Sequence, residues 1–200
     1  MRVVAGRLGG RPLKAPAGDA TRPTGARVKE ALFSILSNVR GARVLDLYAG
    51  SGALGIEALS RGAARAVFVE ADRPALACLR ENLTRLGLDG QTEVLPLRVE
   101  AARAKLVARG PFDLVLCDPP WRDVKRARGE LEALVAAGAL APHARVALEH
   151  SAKFPPSLPN ADTVQSGALC TIDQRQWGDT GVTFFSLELG PADVPGTSEA

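Results

Sequence analysis

The sequence predicts an α/β domain: a mostly parallel seven-stranded sheet with an antiparallel C-terminal edge and a small N-terminal β-hairpin extension. Three observations predict it. Between Arg43 and Glu149, short apolar runs alternate with stretches of helical spacing. After Phe154 the alternation stops, and two β-prone runs follow with no room for a helix between them. The composition is 46% hydrophobic but only 4% aromatic, which leaves Ala, Val and Leu to build aliphatic parallel strands. A length of 200 residues fits one domain with small appendages.

Residues 1–15 carry two short β-prone pieces around Arg7-Leu8-Gly9-Gly10, the pattern of a hairpin or two edge strands. Thr21-Arg22-Pro23-Thr24 reads as a turn, with Thr24 placed to cap the next helix. That helix has Val28, Ala31, Leu32, Ile35 and Leu36 at helical spacing, and Gly41 is expected to end it. Strands are then expected at 44–48, 66–70, 92–97, 112–117 and 144–149. Helices are expected between them at 53–60, 74–86, 100–108 and 125–137. The run Phe154-Pro155-Pro156-Ser157-Leu158-Pro159 suits neither a helix nor a central strand. The two final β-prone runs, about 163–174 and 180–189, must pair antiparallel at the sheet edge. Three segments follow: a basic arm over 1–20, the main domain over 21–189 and a disordered tail over 190–200.

Composition excludes several classes. No apolar run approaches the roughly 20 residues needed to cross a bilayer, so no membrane role is expected. No apolar stretch of the signal-peptide kind follows Arg2, which predicts a cytoplasmic protein. Cys78, Cys117 and Cys170 are odd in number and form no C-x-x-C pair, which points to a reducing compartment without disulfides or zinc. His143 and His150 share no ligand pattern, and no metal is expected. Nothing in the sequence demands a dimer, so a monomer is expected. Charge is uneven: residues 1–43 hold nine basic residues against Asp19 and Glu30, an excess of seven in a chain of net charge +3. A basic arm on a slightly acidic body suggests a polyanionic partner, with Arg2, Arg7, Arg11, Lys14, Arg22 and Thr24 as candidate contacts.

Gly50, Gly52 and Gly55 fit G-x-G-x-x-G directly after the first expected strand and at the start of a helix. Glu70 ends the second strand, where a ribose-binding acid is expected about 20 residues after such a loop. A dinucleotide would bring its pyrophosphate to the helix N-terminus, beside the carboxylate of Asp46. A carboxylate repels that group and attracts a cationic amino group instead. S-adenosyl-L-methionine carries an amino group, a sulfonium and a ribose, and matches Asp46 plus Glu70 better. The candidate cofactor residues are Asp46, Tyr48, Ala49, Gly50, Ser51, Gly52, Glu70 and Glu100. Glu100 either reaches the adenine amine or is simply an acid favoured by a helix N-terminus.

Asp118-Pro119-Pro120-Trp121 closes the fourth apolar strand. An exocyclic amine on a flat ring delocalises its lone pair and attacks poorly. Asp118 can accept a hydrogen bond from one N–H and the carbonyl of Pro119 from the other. That favours a pyramidal nitrogen with its lone pair aimed at an electrophile. Trp121 can stack on the ring. Asp118, Pro119 and Trp121 are therefore the candidate catalytic residues. In open α/β sheets both motifs fall at the carboxyl edge, where ligands bind.

The segments "TRPTGARVKEALFSIL", "VLDLYAGSGALGIEALSRGA", "FVE", "FDLVLCDPPW" and "RQWGDTGVTFF" together resemble the bacterial 16S rRNA guanine-N2 methyltransferases of the RsmD type. The resemblance spans about residues 1–189. It implies a Rossmann-like class I methyltransferase fold and S-adenosyl-L-methionine as donor. It also implies methylation of one guanine N2, of the guanine-966 type, in 16S rRNA of the small ribosomal subunit or an assembly intermediate. Asp118 would hold the guanine amine, Trp121 would stand where relatives more often have Tyr, and Arg22 and Thr24 would close over cofactor or RNA. Glu100 stands where many relatives have Asp or Asn. Three other readings stay open: methylation of another planar amine (adenine N6 in DNA or a protein glutamine amide), an NAD-dependent oxidoreductase, and a non-catalytic RNA-binding protein.

Overall fold

The computed structural model describes residues 1–16, 25–156 and 168–188. Seven strands form one sheet: β1 (Arg43–Leu47), β2 (Arg65–Val69), β3 (Thr92–Leu95), β4 (Phe112–Cys117), β5 (Leu140–Ser151), β6 (Ala168–Trp177) and β7 (Thr180–Glu188). Their order across the sheet is β3-β2-β1-β4-β5-β7-β6. The first five run parallel, and β7 pairs antiparallel with β5 and β6. Strand order reverses between β1 and β4, which opens a crevice at their carboxyl ends.

Among the described residues, five α-helices cover the sheet: α1 (Ala26–Leu36), α2 (Ala53–Ser60), α3 (Arg73–Arg85), α4 (Val99–Val107) and α5 (Val124–Ala136). Because successive strand residues point to opposite faces, each strand feeds two cores. On one face, Val44, Phe68, Leu114 and Phe184 pack with Leu32 of α1, Leu54 of α2 and Leu79 of α3. On the other, Leu45, Val115 and Phe185 pack with Ala102 of α4 and Leu131 of α5. Burial on both faces is why these strands read as continuous apolar runs.

Residues 1–16 form a hairpin closed by one antiparallel bridge, Arg2 to Pro12. The hairpin lies along α2 and α3. Val3, Leu8 and Leu13 enter the core. The Val4 and Ala5 amides donate to the buried Glu57 carboxylate at 2.7 and 3.0 Å, and Arg7 N–H donates to Ser60 O at 2.8 Å. At the other end, Lys14 N–H donates to Asn82 Oδ1 at 2.8 Å.

Several boundaries differ from the sequence expectation. The first helix ends at Leu36 rather than Gly41, because Ser37 leaves helical geometry at φ 53 and Val39 turns into the core. Gly41, at φ 77, serves the following turn and donates to Gly62 O at 2.9 Å. The N-cap position is Gly25, which has no side chain to cap with. Thr24, Arg22 and the turn they belong to lie outside the described residues. The fifth strand starts at Leu140, not 144, since a register shift lets Leu140 pair with Phe112 despite Pro142. The expected strand over 163–174 is found as β6 from Ala168 to Trp177, and 163–167 and the tail 190–200 lie outside the described residues.

Candidate active site

The loop after β1 is shaped by what a side chain would hit. A Cβ on Gly55 would sit 2.4 Å from Phe68 Cε1 and 2.9 Å from Asp46 Oδ2, so only glycine lets α2 approach the sheet. Gly52, at φ 80, makes the tight turn and donates to Ala49 O at 2.7 Å. Gly50 is different: a Cβ there would meet nothing within 4 Å. Its surroundings leave backbone facing open space, the condition for a ligand to approach.

Two acids hold this loop. Asp46 is buried, and its Oδ2 accepts from Gly55 N–H at 2.8 Å. Burial pushes its carboxyl well above the usual carboxylate range; the Gly55 N–H opposes that, and the nearby Asp118 and Glu70 charges add to it. Glu70, just past β2, accepts from Gly50 N–H through Oε2 at 2.7 Å. Its Oε1 accepts from Ala71 and Asp72 N–H, both at 2.7 Å. Asp72 in turn caps α3 through Ala75 N–H at 3.0 Å. The Glu70 carboxylate thus joins the glycine loop to the start of α3.

The second half of the site lies beside the first. Leu47 and Cys117 are register partners on adjacent parallel strands, and Asp118 N–H donates to Leu47 O at 3.3 Å. Asp46 pairs with Leu116 and Leu47 with Cys117, so Asp46 and Asp118 share one edge of the sheet. Pro119 is buried, whereas Trp121 is 43% exposed at the start of a short 3-10 turn, Trp121–Asp123. A large ring left exposed just past the carboxyl end of β4 is available for stacking.

Tyr48 occupies the left-handed backbone region at φ 58, an uncommon state for an aromatic residue. Its hydroxyl is buried with no hydrogen-bond partner among the described residues. Burial raises its pKa, and the charges of Cys117, Glu100, Asp123 and Glu130 push the same way. Ala49 and Ser51 are buried in the loop, which Asn82 Nδ2 fixes by donating to Ser51 O at 3.0 Å. Glu100 is exposed in the first turn of α4, with Arg126 Nη1 at 3.6 Å.

The basic candidates do not gather in one place. Lys14 is near the glycine loop through Asn82, and its ammonium pairs with Glu81 at 2.6 Å. Arg7 reaches the opposite edge of the sheet, where Nη2 donates to Gln91 Oε1 at 2.7 Å. Arg2 and Arg11 are exposed on the hairpin.

Two residues were missed from the sequence. Asn82 also donates to Lys14 O at 3.0 Å, tying hairpin to loop; a lone Asn in a helix carries no signal of this. Glu149 is buried and follows Leu148, the register partner of Cys117, so it lies beside Asp118. An acid ending an apolar strand was the available signal. His150 packs against Gly181, and a Cβ there would lie 2.4 Å from its Cε1. Gln174 Nε2 donates to Thr183 Oγ1, which bonds His150 Nε2, both at 2.9 Å; His150 Nδ1 bonds Ser151 O at 2.8 Å. Among the described residues, no three His, Cys, Asp or Glu side chains are grouped to hold a metal ion. No described helix is long and apolar enough to cross a membrane.

Comparison with known proteins adds the following. The family described as "Conserved hypothetical protein 95" matches residues 1–186. Ribosomal RNA small subunit methyltransferase D of Escherichia coli (strain K12) is 42% identical over 134 residues. That match covers 66% of this chain and 63% of that protein, just under two thirds of its length. The solved structure of a hypothetical protein of Thermus thermophilus superposes with a TM-score of 0.76 at 32% identity, covering 94% of this chain and 99% of that one. An RNA methyltransferase from Salinibacter ruber, solved in complex with S-adenosyl-L-homocysteine, shares the fold at TM-score 0.61 and 16% identity, covering 84% of this chain and 94% of that one.

Proposed function

The chain belongs to the conserved hypothetical protein 95 family, that of the RsmD-type methyltransferases, and from this premise we propose that it methylates the exocyclic N2 of a guanine in 16S rRNA. One observation carries the reading. The glycine loop and the Asp118 tetrapeptide end adjacent parallel strands, hydrogen-bonded to each other through Asp118 N–H and Leu47 O. A donor site and an acceptor site therefore share one crevice.

S-adenosyl-L-methionine is the cofactor, and when bound it supplies a methyl group already activated on a sulfonium. The residues present fit it. Gly50 leaves backbone open to a ligand, Glu70 offers a carboxylate to ribose hydroxyls, and Asp46 offers one to a cationic amino group. Tyr48, Ala49, Ser51 and Gly52 complete the proposed cofactor site, and Glu100, in the first turn of α4, is its candidate adenine contact.

On the acceptor side, Asp118 accepts a hydrogen bond from one N2–H and the Pro119 carbonyl from the other. Both bonds strengthen as the nitrogen becomes pyramidal and gains positive charge, so they favour the transition state over the ground state. Asp118 need not be a strong base, because the proton is lost once nitrogen is cationic. Trp121 holds the ring in plane. The guanine must be unstacked to reach this cleft. The basic arm supplies Arg2, Arg7, Arg11 and Lys14 to RNA phosphates, and Arg22 and Thr24 complete the RNA contacts. The protein acts as a monomer on small-subunit rRNA or its assembly intermediate, in the cytoplasm and without a metal.

The test is labelled methyl transfer to small-subunit particles, naked 16S rRNA, DNA and protein, followed by mapping of the modified base. Label is expected in one rRNA guanine as N2-methylguanine. Asp118→Ala should lower kcat/KM by a factor of roughly 100 or more, the scale of a lost transition-state hydrogen bond. Trp121→Ala should lower it about 5- to 150-fold, the worth of one base–aromatic stack. Both variants should keep wild-type melting temperatures, and Trp121→Phe most of the activity. Label in DNA or protein, or an Asp118→Ala enzyme of undiminished rate, defeats the reading.

A further inference from the structure

The opposite, amino edge of the sheet carries a second concentration of charge. Two depressions of about 350 and 470 Å³ lie there, side by side along the starts of β1, β2, β3, β4 and β5. Arg40 and Arg145 line one, Arg43 and Arg65 the other. Two acids are present, and both are already engaged. Glu93 holds Arg109 bidentately, at 2.6 and 2.7 Å. Asp113 accepts the Arg43 backbone N–H at 2.7 Å. Arg40 and Arg65 are exposed and make no ion pair with any described residue. Arg43 donates to the carbonyl of Arg109. Arg145 is fixed by two neutral oxygens, Ser37 Oγ and Asn38 O, each at 3.2 Å. Arg7 brings the tip of the hairpin to the same edge by donating to Gln91 Oε1, and Gln91 lines the larger depression.

From this placement we infer that the amino edge is a second docking surface for the phosphate backbone of the substrate RNA, separate from the cleft where the base is held. Arginines held by neutral acceptors present their remaining N–H groups at fixed positions, which suits phosphate oxygens. A five-residue strand is about 16 Å long, so the two surfaces lie at least that far apart. A short stem-loop occupies only the cleft, whereas a folded rRNA domain reaches round to the other edge. Recognition of a large RNA then depends on both edges, and catalysis on one. The inference rests on the proposed rRNA substrate for the identity of the polyanion.

The experiment compares wild type with Arg40→Glu/Arg65→Glu and Arg40→Gln/Arg65→Gln. Neither residue touches the cleft. Binding to full-length 16S rRNA and to a short hairpin RNA carrying the target loop is measured across salt concentrations, with S-adenosylhomocysteine affinity as the control for folding. For the long RNA, charge reversal should weaken binding at least tenfold at ~100 mM salt. Neutralisation should lower the slope of log K against log salt by roughly 1.4–1.8, the loss of two phosphate contacts. Binding of the short RNA and of S-adenosylhomocysteine should not change. Unchanged long-RNA affinity and slope overturns the inference, and so does an equal loss for both RNAs. Retained binding to naked rRNA with lost binding to the assembled subunit also overturns it, by moving the contact to a protein. A wild-type enzyme that modifies no rRNA defeats the function proposed above; one that does, alongside variants that bind like wild type, defeats only this inference.

Discussion

Asp46 is the residue whose chemistry is most at odds with its place. It is buried at the end of β1, with Oδ2 on the Gly55 amide. Burial raises its pKa well above its ordinary value of 3.8. The ligand-free native state therefore keeps a proton that the unfolded chain has already released, and folding stability falls as pH rises through that window; a cationic amino group bound beside Asp46 favours the ionised carboxylate instead. Asn keeps an oxygen for the Gly55 N–H and carries no charge. Asp46→Asn should melt at a higher temperature than wild type, with a gap that opens as pH rises above 3.8, becomes constant once the folded-state carboxyl has ionised, and closes as pH approaches 3.8. The same change removes a carboxylate from the proposed amino-group site. Affinity for S-adenosylhomocysteine should fall about 10- to 100-fold, the worth of a hydrogen bond to a charged group. Thermal melts over that pH range and calorimetric titration measure both; equal melting temperatures at every pH would contradict the raised pKa.

At the scale of elements, the hairpin is held to α2 by the side chains of Glu57 and of Ser60, whose Oγ accepts from Leu8 N–H at 3.0 Å. Glu57 is fully buried and accepts the Val4 and Ala5 amides and Arg61 Nε at 2.7, 3.0 and 2.9 Å. Lys29 of α1 adds a further tie, its buried ammonium donating to Arg2 O at 2.8 Å. Gln at position 57 would turn an N–H₂ toward a backbone donor. Glu57→Gln should cost about 1–3 kcal/mol, or roughly 2–12 °C of melting temperature in a domain of this size. Trypsin should then cut faster after Arg2, Arg7 and Lys14, and amide exchange over residues 1–16 should quicken. A variant digested like wild type would show that the bonds to Ser60, Asn82 and Lys29 and the apolar packing fix the segment without Glu57. The same elements show what the sequence made legible. Parallel strands are buried on both faces, so β1, β2 and β4 stand out as apolar runs, and glycines mark the turn before α2. The end of α1 was hidden because Ser37, not glycine, takes the positive φ. The first residues of β5 were hidden by Pro142 and by His143 at φ 58. Asn82, Glu149 and the direction of Arg7 follow from contacts between residues far apart in sequence, which no local pattern records.

The whole molecule divides its charge between the two ends of one sheet. The carboxyl edge gathers Glu70, Asp118 and Glu149, while the amino edge carries Arg40, Arg43, Arg65, Arg109 and Arg145 against Glu93 and Asp113. A polyanion is drawn to one end and repelled by the other, yet the proposed reaction takes place at the repelling end. A cation bound in the cleft offsets that repulsion. S-adenosylmethionine carries one more positive charge than S-adenosylhomocysteine, at its sulfonium. A unit charge ~10 Å from one phosphate contributes roughly 0.4–1.7 kcal/mol for effective dielectrics between 80 and 20. RNA should therefore bind about 2- to 17-fold more tightly to the enzyme loaded with S-adenosylmethionine than with S-adenosylhomocysteine. By reciprocity, RNA should tighten S-adenosylmethionine by the same factor relative to S-adenosylhomocysteine. The difference should shrink as salt rises, and it would speed release of the methylated RNA once the sulfonium is spent. RNA titrations of the Asp118→Ala protein, slowed by a factor of roughly 100 or more, measure it with either cofactor present on a timescale shorter than one turnover. Equal RNA affinity with both cofactors at low salt would mean that the acidic edge plays no part in the reaction cycle.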